Sequence, residues 1–214
     1  MADLFGEPQL THDAPKGLGR MMSGGGEKAK RRANDFYPTP ADVTRALLRK
    51  ESQCIRNMAR DGPVWEPCGR GGAILRELQA CGLETVGTDI VPDPDNQVAP
   101  LDLLQARKRL GKAVVTNPPF ALAEPMIVRL WGRLRVDYMA LLLKATYWHA
   151  GERAELFRKY RPARIHAVAW RPDFTGGGNP TMDVCWFVWQ RGWALGTHYS
   201  VLERQERHPE LGGI

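Results

Sequence analysis

The stretch AVVTNPPF, Ala113 to Phe120, ends an apolar run on residues suited to hydrogen-bond acceptance rather than to further strand pairing. Ala113 to Thr116 reads as a buried strand. Pro118 and Pro119 have no backbone N–H, so the ladder stops there. Asn117 precedes a proline and is pushed toward extended geometry. The expected product is a rigid corner at a strand end. It carries an amide side chain, carbonyls without neighbouring donors, and the aromatic ring of Phe120.

Three further features suit ligand binding. EPCGRGG, Glu66 to Gly72, follows a short apolar strand, and its glycines allow close backbone approach to a ligand. It is neither G-x-G-x-x-G nor a phosphate-binding Gly-Lys-Ser/Thr loop, which disfavours a dinucleotide or nucleoside triphosphate. Asp89 lies roughly 20 residues beyond the Gly-rich turn, where a carboxylate can accept hydrogen bonds from ribose hydroxyls. Asp102 follows the next short apolar segment. Each has a plainer alternative. Gly69 and Gly71 could shape a turn, Asp89 could cap a loop, and Asp102 could N-cap the helix that follows it.

The elements that must position these residues alternate in type. Thr39 reads as an N-cap and Pro40 as the first residue of a helix carrying Val43, Ala46 and Leu47. VWE is a strand, AILRELQACG a helix ended by Gly82, and ETVGTDI a strand. VAPLDLL is a third strand or the start of a helix, and KAVVT is the fourth strand. LAEPMIVRLWGRLR is a helix with Pro125 near its first turn. VDYMALLL is a fifth strand apolar enough for burial on both faces. GERAELFRKYR is a helix, and RIHAVAW and MDVCWFVWQRG are the last two strands. This predicts an α/β fold with a seven-stranded, mostly parallel sheet, a C-terminal antiparallel strand, and helices on both faces. The expected division is a basic arm over residues 1–33, one catalytic domain over 34–192 and a tail over 193–214. In such a sheet ligands bind beyond the carboxyl ends of the strands, near the point where strand order reverses. Glu66–Gly72, Asp89, Asp102 and the Asn117 corner all fall there.

Composition narrows the partners. The 214 residues suit one full core, and 43% are hydrophobic. A formal charge of +6 and a pI near 9.3 mildly favour a polyanionic partner, the plainer alternative being an ordinary basic protein with no nucleic-acid role. Cys54, Cys68, Cys81 and Cys185 form no C-x-x-C pair, which argues against a zinc site or a disulfide scaffold and for a reducing, cytoplasmic setting. No stretch is apolar enough to suggest a membrane span or a secretory leader. Lys28, Lys30, Arg31 and Arg32 follow a Gly run and form either a plain solvated tail or an arm that contacts phosphates. Phe174 lies in the Gly-rich loop RPDFTGGGNPT, which is either a plain hairpin connection or a loop closing over substrate, and is a second candidate nucleic-acid contact. Lys144, Tyr147 and His149 follow the fifth strand and could line the same edge. Trp186 and Trp189 read as core.

DFYPTP, EPCGRGG, GTDI and TNPPF, in that order, resemble the motifs of S-adenosylmethionine-dependent amino-methyltransferases. The chain is most similar to DNA adenine-N6 methyltransferases of the phage and restriction-modification kind, over about residues 34 to 190. The resemblance implies a Rossmann-like methyltransferase fold. Tyr37, Thr39 and Pro40 would border the methionine end of the cofactor. Glu66, Cys68, Gly69 and Gly71 would form the cofactor loop, Asp89 would hold the ribose with Ile90 nearby, and Asp102 would meet the adenine amino group. Asn117, Pro118, Pro119 and Phe120 would form the target-base site, with Asn117 also next to the cofactor. Cys68 stands where the family often has a smaller residue, and Arg70 adds bulk and charge to the loop.

The resemblance gives the corner a chemistry. The exocyclic amine of adenine is a poor nucleophile because its lone pair is delocalised. The Asn117 side-chain oxygen and the Pro118 carbonyl can each accept one N–H, favouring a pyramidal nitrogen. The prolines preorganise both acceptors, and Phe120 can stack on an extruded base. This chemistry needs neither a metal nor a covalent nucleophile. Expected partners are the cofactor, duplex or single-stranded DNA, and an oligomeric or separate specificity subunit, because about a dozen residues between Asp102 and Asn117 leave no room for an inserted base-reading domain. The expected target is therefore short or relaxed. RNA adenine, a protein glutamine amide, and a non-catalytic cofactor-fold module are the competing readings.

Overall fold

The computed structural model describes residues 37–60, 62–149, 151–178, 180 and 182–204. Lys28, Lys30, Arg31 and Arg32, the whole 1–33 arm, and residues 205–214 lie outside the described residues. Strands β1 (Val64–Glu66), β2 (Thr85–Asp89), β3 (Val98–Pro100), β4 (Ala113–Thr116), β5 (Tyr138–Lys144), β6 (Arg164–Val168), β7 (Val184–Gln190) and β8 (His198–Leu202) form one sheet. The order is β3-β2-β1-β4-β5-β7-β6-β8. Neighbours from β3 to β5 pair parallel, and β7 runs antiparallel to both β5 and β6. The antiparallel arrangement expected of RIHAVAW and MDVCWFVWQRG is therefore present.

One expectation is corrected. Among the described residues the sheet has eight strands rather than seven, because His198–Leu202, read as part of a tail, pairs parallel with β6 along its whole length. The segment shows little apolar alternation. Tyr199 and Val201 are exposed and only Leu202 is buried. Its position comes from the β6 backbone rather than from a hydrophobic pattern.

Helices α1 (Ala41–Ala59) and α2 (Ala73–Ala80) cover one face. Helix α3 (Ala123–Ile127), continued by a π-helical turn over Val128–Arg133, and helix α4 (Ala154–Lys159) belong to the other. Alternation along β5 divides the core. Tyr138, Ala140 and Leu142 join the first cluster with Leu47, Ile55, Ile74 and Trp186. Met139, Leu141 and Leu143 join the second with Trp65, Ile127, Leu130 and Trp189. Trp186 and Trp189 are fully buried core residues, as expected. At Gly132 in the π-helical turn a Cβ would stand 2.7 Å from the Tyr160 hydroxyl, so the small residue lets the chain pass close to that ring.

A buried charge network ties α1 to the far half of the sheet. Glu51, 3% exposed, accepts from Arg164 Nε at 2.7 Å and Nη2 at 2.8 Å. His166 Nε2 lies 2.8 Å from the same carboxylate, and the Tyr138 hydroxyl donates to it at 3.3 Å. His166 Nδ1 is 2.6 Å from Ser200 in β8. Burial alone would raise the Glu51 pKa, but the hydrogen bonds from His166 and Arg164 hold it below the usual value. A carboxylate with a lowered folded pKa contributes stability above its unfolded pKa and loses it as pH falls through the folded value. Glu51→Gln is expected to cost about 2 kcal/mol at pH 7. Urea melts should show that cost shrinking as pH drops below about 4.5. A cost independent of pH would show that the ionised carboxylate is not what holds the network.

Candidate active site

The carboxyl ends of β1, β2, β4 and β5 lie along one edge, and strand order reverses between β1 and β4. Glu66 ends β1, Asp89 ends β2, Asn117 follows β4 directly, and Lys144 ends β5. The topology therefore gathers the residues expected to act on a ligand into the crevice that an open parallel sheet provides.

The loop after β1 folds back over the sheet edge. Gly69 N donates to Thr88 O at 2.9 Å, and Gly72 N to Gly69 O at 2.8 Å. Gly71 and Gly72 have φ values of 77° and 61°, the left-handed region that favours glycine. Gly69 is buried, and a Cβ there would stand 3.3 Å from the Glu66 carbonyl and 3.4 Å from Leu75, so a side chain would crowd the turn. Arg70 N points to Asp89 Oδ2 at 3.4 Å, while Asp89 Oδ1 accepts from Val91 N at 3.0 Å. Asp89 is thus both the loop cap of the plainer reading and a carboxylate with lone pairs left for hydroxyls. Ile90 beside it is 60% exposed and offers an apolar surface at the same strand end.

Asp93 was not singled out from sequence. Its Oδ2 accepts from Gly71 N and from Asn96 Nδ2, each at 2.8 Å. The hydrogen bond from Gly71, then that from Asn96, lowers its pKa. Asp93 straps the Gly-rich loop from outside, and the signal for it was the turn-rich run DPDN.

Glu66 is the most unusual group in the site. It is 3% exposed, and Oε2 has no hydrogen-bond partner among the described residues. Burial raises its pKa well above the carboxylate range, opposed by a hydrogen bond from the Leu75 backbone N–H in the first turn of α2. α2 has no side-chain N-cap of its own, since its cap position is Gly72. Glu66 therefore caps it from β1 and keeps one oxygen in reserve. Burial also pushes the Cys68 thiol up to about 12, with the Thr116 hydroxyl beside it, so this thiol is neutral and not a nucleophile.

The corner after β4 has the expected form. Ala113 to Thr116 and Pro118 are buried, and Asn117, Pro119 and Phe120 are half-buried. Leu122 N donates to Pro119 O at 2.8 Å, so the chain turns at once into a 3-10 turn over Phe120–Leu122. Asn117 Nδ2 donates to Thr39 Oγ1 at 3.1 Å. The N-cap reading of Thr39 is corrected by this contact. The helix begins at Ala41, the cap position is Pro40, and no side chain caps it. The Thr39 hydroxyl is directed across the site instead. Lys144 Nζ stands 5.2 Å from the Phe120 ring centroid, which brings β5 into the site.

Other sequence candidates fall differently. Tyr37 and Pro40 are half-buried just before α1. Asp102 is exposed and its Oδ1 caps the 3-10 turn Leu103–Gln105 through Leu104 N at 2.9 Å, as in its plainer reading, with Oδ2 left over. Tyr147 is buried under the Arg153 guanidinium at 4.1 Å and does not line the edge, while His149 is exposed. Phe174 packs half-buried against the α1-side core, so its ring is only partly free. Its loop is internally ordered. Asp173 accepts from the N–H groups of Thr175, Gly176 and Gly178 and from the Thr175 hydroxyl. The Gly178 and Thr175 contacts lower its pKa to about 2. Arg171 and Asp183 close the loop base with an ion pair at 2.8 Å.

No protein-family model matches the chain, and no curated protein matches it in sequence. Solved structures do match. A Pyrococcus horikoshii protein assigned as an RNA methyltransferase aligns at 14% identity and TM-score 0.53, over 71% of this chain and 84% of its own. A chain of a type I restriction-modification system aligns at 15% identity and TM-score 0.52, over 76% of this chain and 44% of its own. A modification subunit assigned to a type I restriction enzyme of Vibrio vulnificus aligns at 13% identity and TM-score 0.52, over 86% of this chain. The present chain covers 50% of that subunit. It therefore spans half or less of the two restriction-modification chains. These likenesses, together with the strand order, establish a Rossmann-like methyltransferase fold.

Proposed function

We propose that this chain transfers a methyl group from S-adenosylmethionine to the exocyclic N6 amine of adenine in DNA, with short or relaxed sequence specificity. The observation that carries the reading is the Asn117 corner. Its side-chain nitrogen is engaged by Thr39, so Oδ1 is the end left to accept a hydrogen bond. Asn117 directly precedes Pro118 and Pro119 on a stiff backbone, at the sheet edge that holds Glu66 and Asp89.

The residues present fit the cofactor. A buried carboxylate with an orphaned oxygen suits the ammonium at the methionine end, and Asp89 with exposed Ile90 suits a ribose and an adenine face. When bound, S-adenosylmethionine supplies an electrophilic methyl group on a sulfonium centre. Asn117 Oδ1 and the Pro118 carbonyl accept the two N–H groups of the adenine amine and draw its lone pair out of conjugation. Phe120, half-buried against the second core cluster, would offer its remaining face to the base, and Lys144 Nζ, 5.2 Å from its ring centroid, adds positive charge there. Between β3 and β4 the structure holds only a short 3-10 turn, and between β6 and β7 only the Asp173 loop. Neither holds several side chains rigidly against base edges, which supports a relaxed target or a separate specificity subunit.

Transfer of a tritiated methyl group to duplex DNA, single-stranded DNA, RNA and protein, with nucleoside analysis of the product, tests the reading. N6-methyladenine in DNA supports it. Label in RNA alone, in a glutamine side chain, or nowhere overturns it in favour of the corresponding alternative. The basic arm adds a second expectation. Removing residues 1–32 should weaken DNA binding and lower the log–log salt slope by roughly 0.9 per lost phosphate contact. Equal slopes for the two chains would remove the arm from the interface.

A further inference from the structure

We infer that Thr39 is a positioning residue for the target amine, setting the plane and polarity of the Asn117 side-chain amide. The inference rests on the proposed function and deepens it. Thr39 stands one residue before Pro40, the cap position of a nineteen-residue helix. Val43 N is satisfied by the Pro40 carbonyl at 3.1 Å, and α1 starts without any side-chain cap. The hydroxyl reaches a partner 78 positions away, Asn117 Nδ2, at 3.1 Å.

The two ends of an amide are nearly equal in size and opposite in hydrogen-bonding sense. Only the oxygen helps at this corner, since an NH₂ group presented to the adenine amine sets donor against donor. The backbone of Asn117 and the two prolines fix where the side chain starts. They do not choose which end of the amide points to the substrate. In this structure Thr39 Oγ1 accepts from the nitrogen and so holds the amide with Oδ1 left for the substrate. Thr39 is 6% exposed, so water cannot readily replace its hydroxyl. Without the hydroxyl the amide nitrogen faces a methyl group and the side chain rotates to find another partner. The cofactor-bordering role implied by family resemblance concerns the same residue, but a different readout separates the two.

The experiment compares Thr39→Val, which keeps the shape, with Thr39→Ser, which keeps the hydroxyl. The Asn117 side-chain amide signal in a ¹⁵N–¹H correlation spectrum, assigned by its loss in Asn117→Ala, should shift and broaden in the Val variant and stay in place in the Ser variant. The kcat for methyl transfer should fall about tenfold to a hundredfold in the Val variant. The Kd for S-adenosylmethionine and the KM for DNA should stay within about twofold, and the Ser variant should recover most of the rate. An unmoved amide signal in Thr39→Val, a loss confined to cofactor affinity, or a Ser variant no better than Val would overturn the inference. If the Val side chain unfolds the corner, Thr39→Ala is read by the same signal. If wild-type protein methylates no adenine, the functional reading falls, while the amide signal still decides whether Thr39 holds Asn117.

Discussion

Asn117→Ala should lower methyl transfer to adenine by at least about a hundredfold while leaving the affinity for S-adenosylmethionine nearly unchanged. The size follows from what the side chain does. One of two preorganised acceptors for the amine is removed, and water admitted in its place must reorganise as charge develops. The Pro118 carbonyl remains, because the backbone of the corner is set by the prolines and by the Leu122-to-Pro119 hydrogen bond. Cofactor binding survives because the Gly-rich loop, Asp89 and Asp93 form a self-contained set of hydrogen bonds on β1 and β2. Calorimetry and single-turnover kinetics on the same preparation check both halves. An equal loss of cofactor affinity would show that Asn117 belongs to the cofactor site and not to the amine.

The Asn117 corner was legible in sequence because two prolines after an apolar run leave the backbone few choices. The glycine loop was legible for a similar reason, since Gly71 and Gly72 both adopt positive φ. What stayed hidden depended on distant partners. Nothing local in YPTP reveals that Thr39 turns toward Asn117 rather than toward its own helix, because both choices satisfy one hydroxyl and only the folded sheet brings Asn117 near. Asp93 was passed over in sequence, and its strap to Gly71 appears only when β2 and the loop meet. β8 escaped because it is recruited by the open edge of β6 and buries little beyond Leu202 and the contact of Ser200 with His166. Phe174 read as a candidate contact in a Gly-rich loop, yet it packs half-buried against the α1-side core. Local stiffness is written in the sequence, whereas side-chain partners across the sheet are not.

Glu66→Gln should raise the melting temperature of the cofactor-free protein and, in the same molecule, weaken S-adenosylmethionine binding by roughly a hundredfold. The two effects share one cause. Glu66 is buried, and burial lifts its pKa well above the carboxylate range. A group whose folded pKa is raised contributes stability below its unfolded pKa, and that contribution is lost as pH rises through the folded value. At pH 7 the unfolded chain ionises Glu66 freely, while the fold must desolvate the charge or hold the proton. Gln removes that cost and still accepts the Leu75 N–H that caps α2. The unpartnered Oε2 is the atom that makes the cost worth keeping. A cation placed against it satisfies the oxygen and compensates the buried charge, and a neutral amide cannot replace that interaction. Thermal melts of both proteins from pH 5 to pH 8 should diverge as pH rises, with the variant ahead at the upper end. Titration with S-adenosylmethionine should reverse the order, because ligand stabilisation scales with the logarithm of concentration over Kd and favours the wild type. A variant that melts higher yet binds the cofactor as tightly as wild type would show that the orphaned oxygen serves no cation, and Glu66 would be left as a helix cap alone.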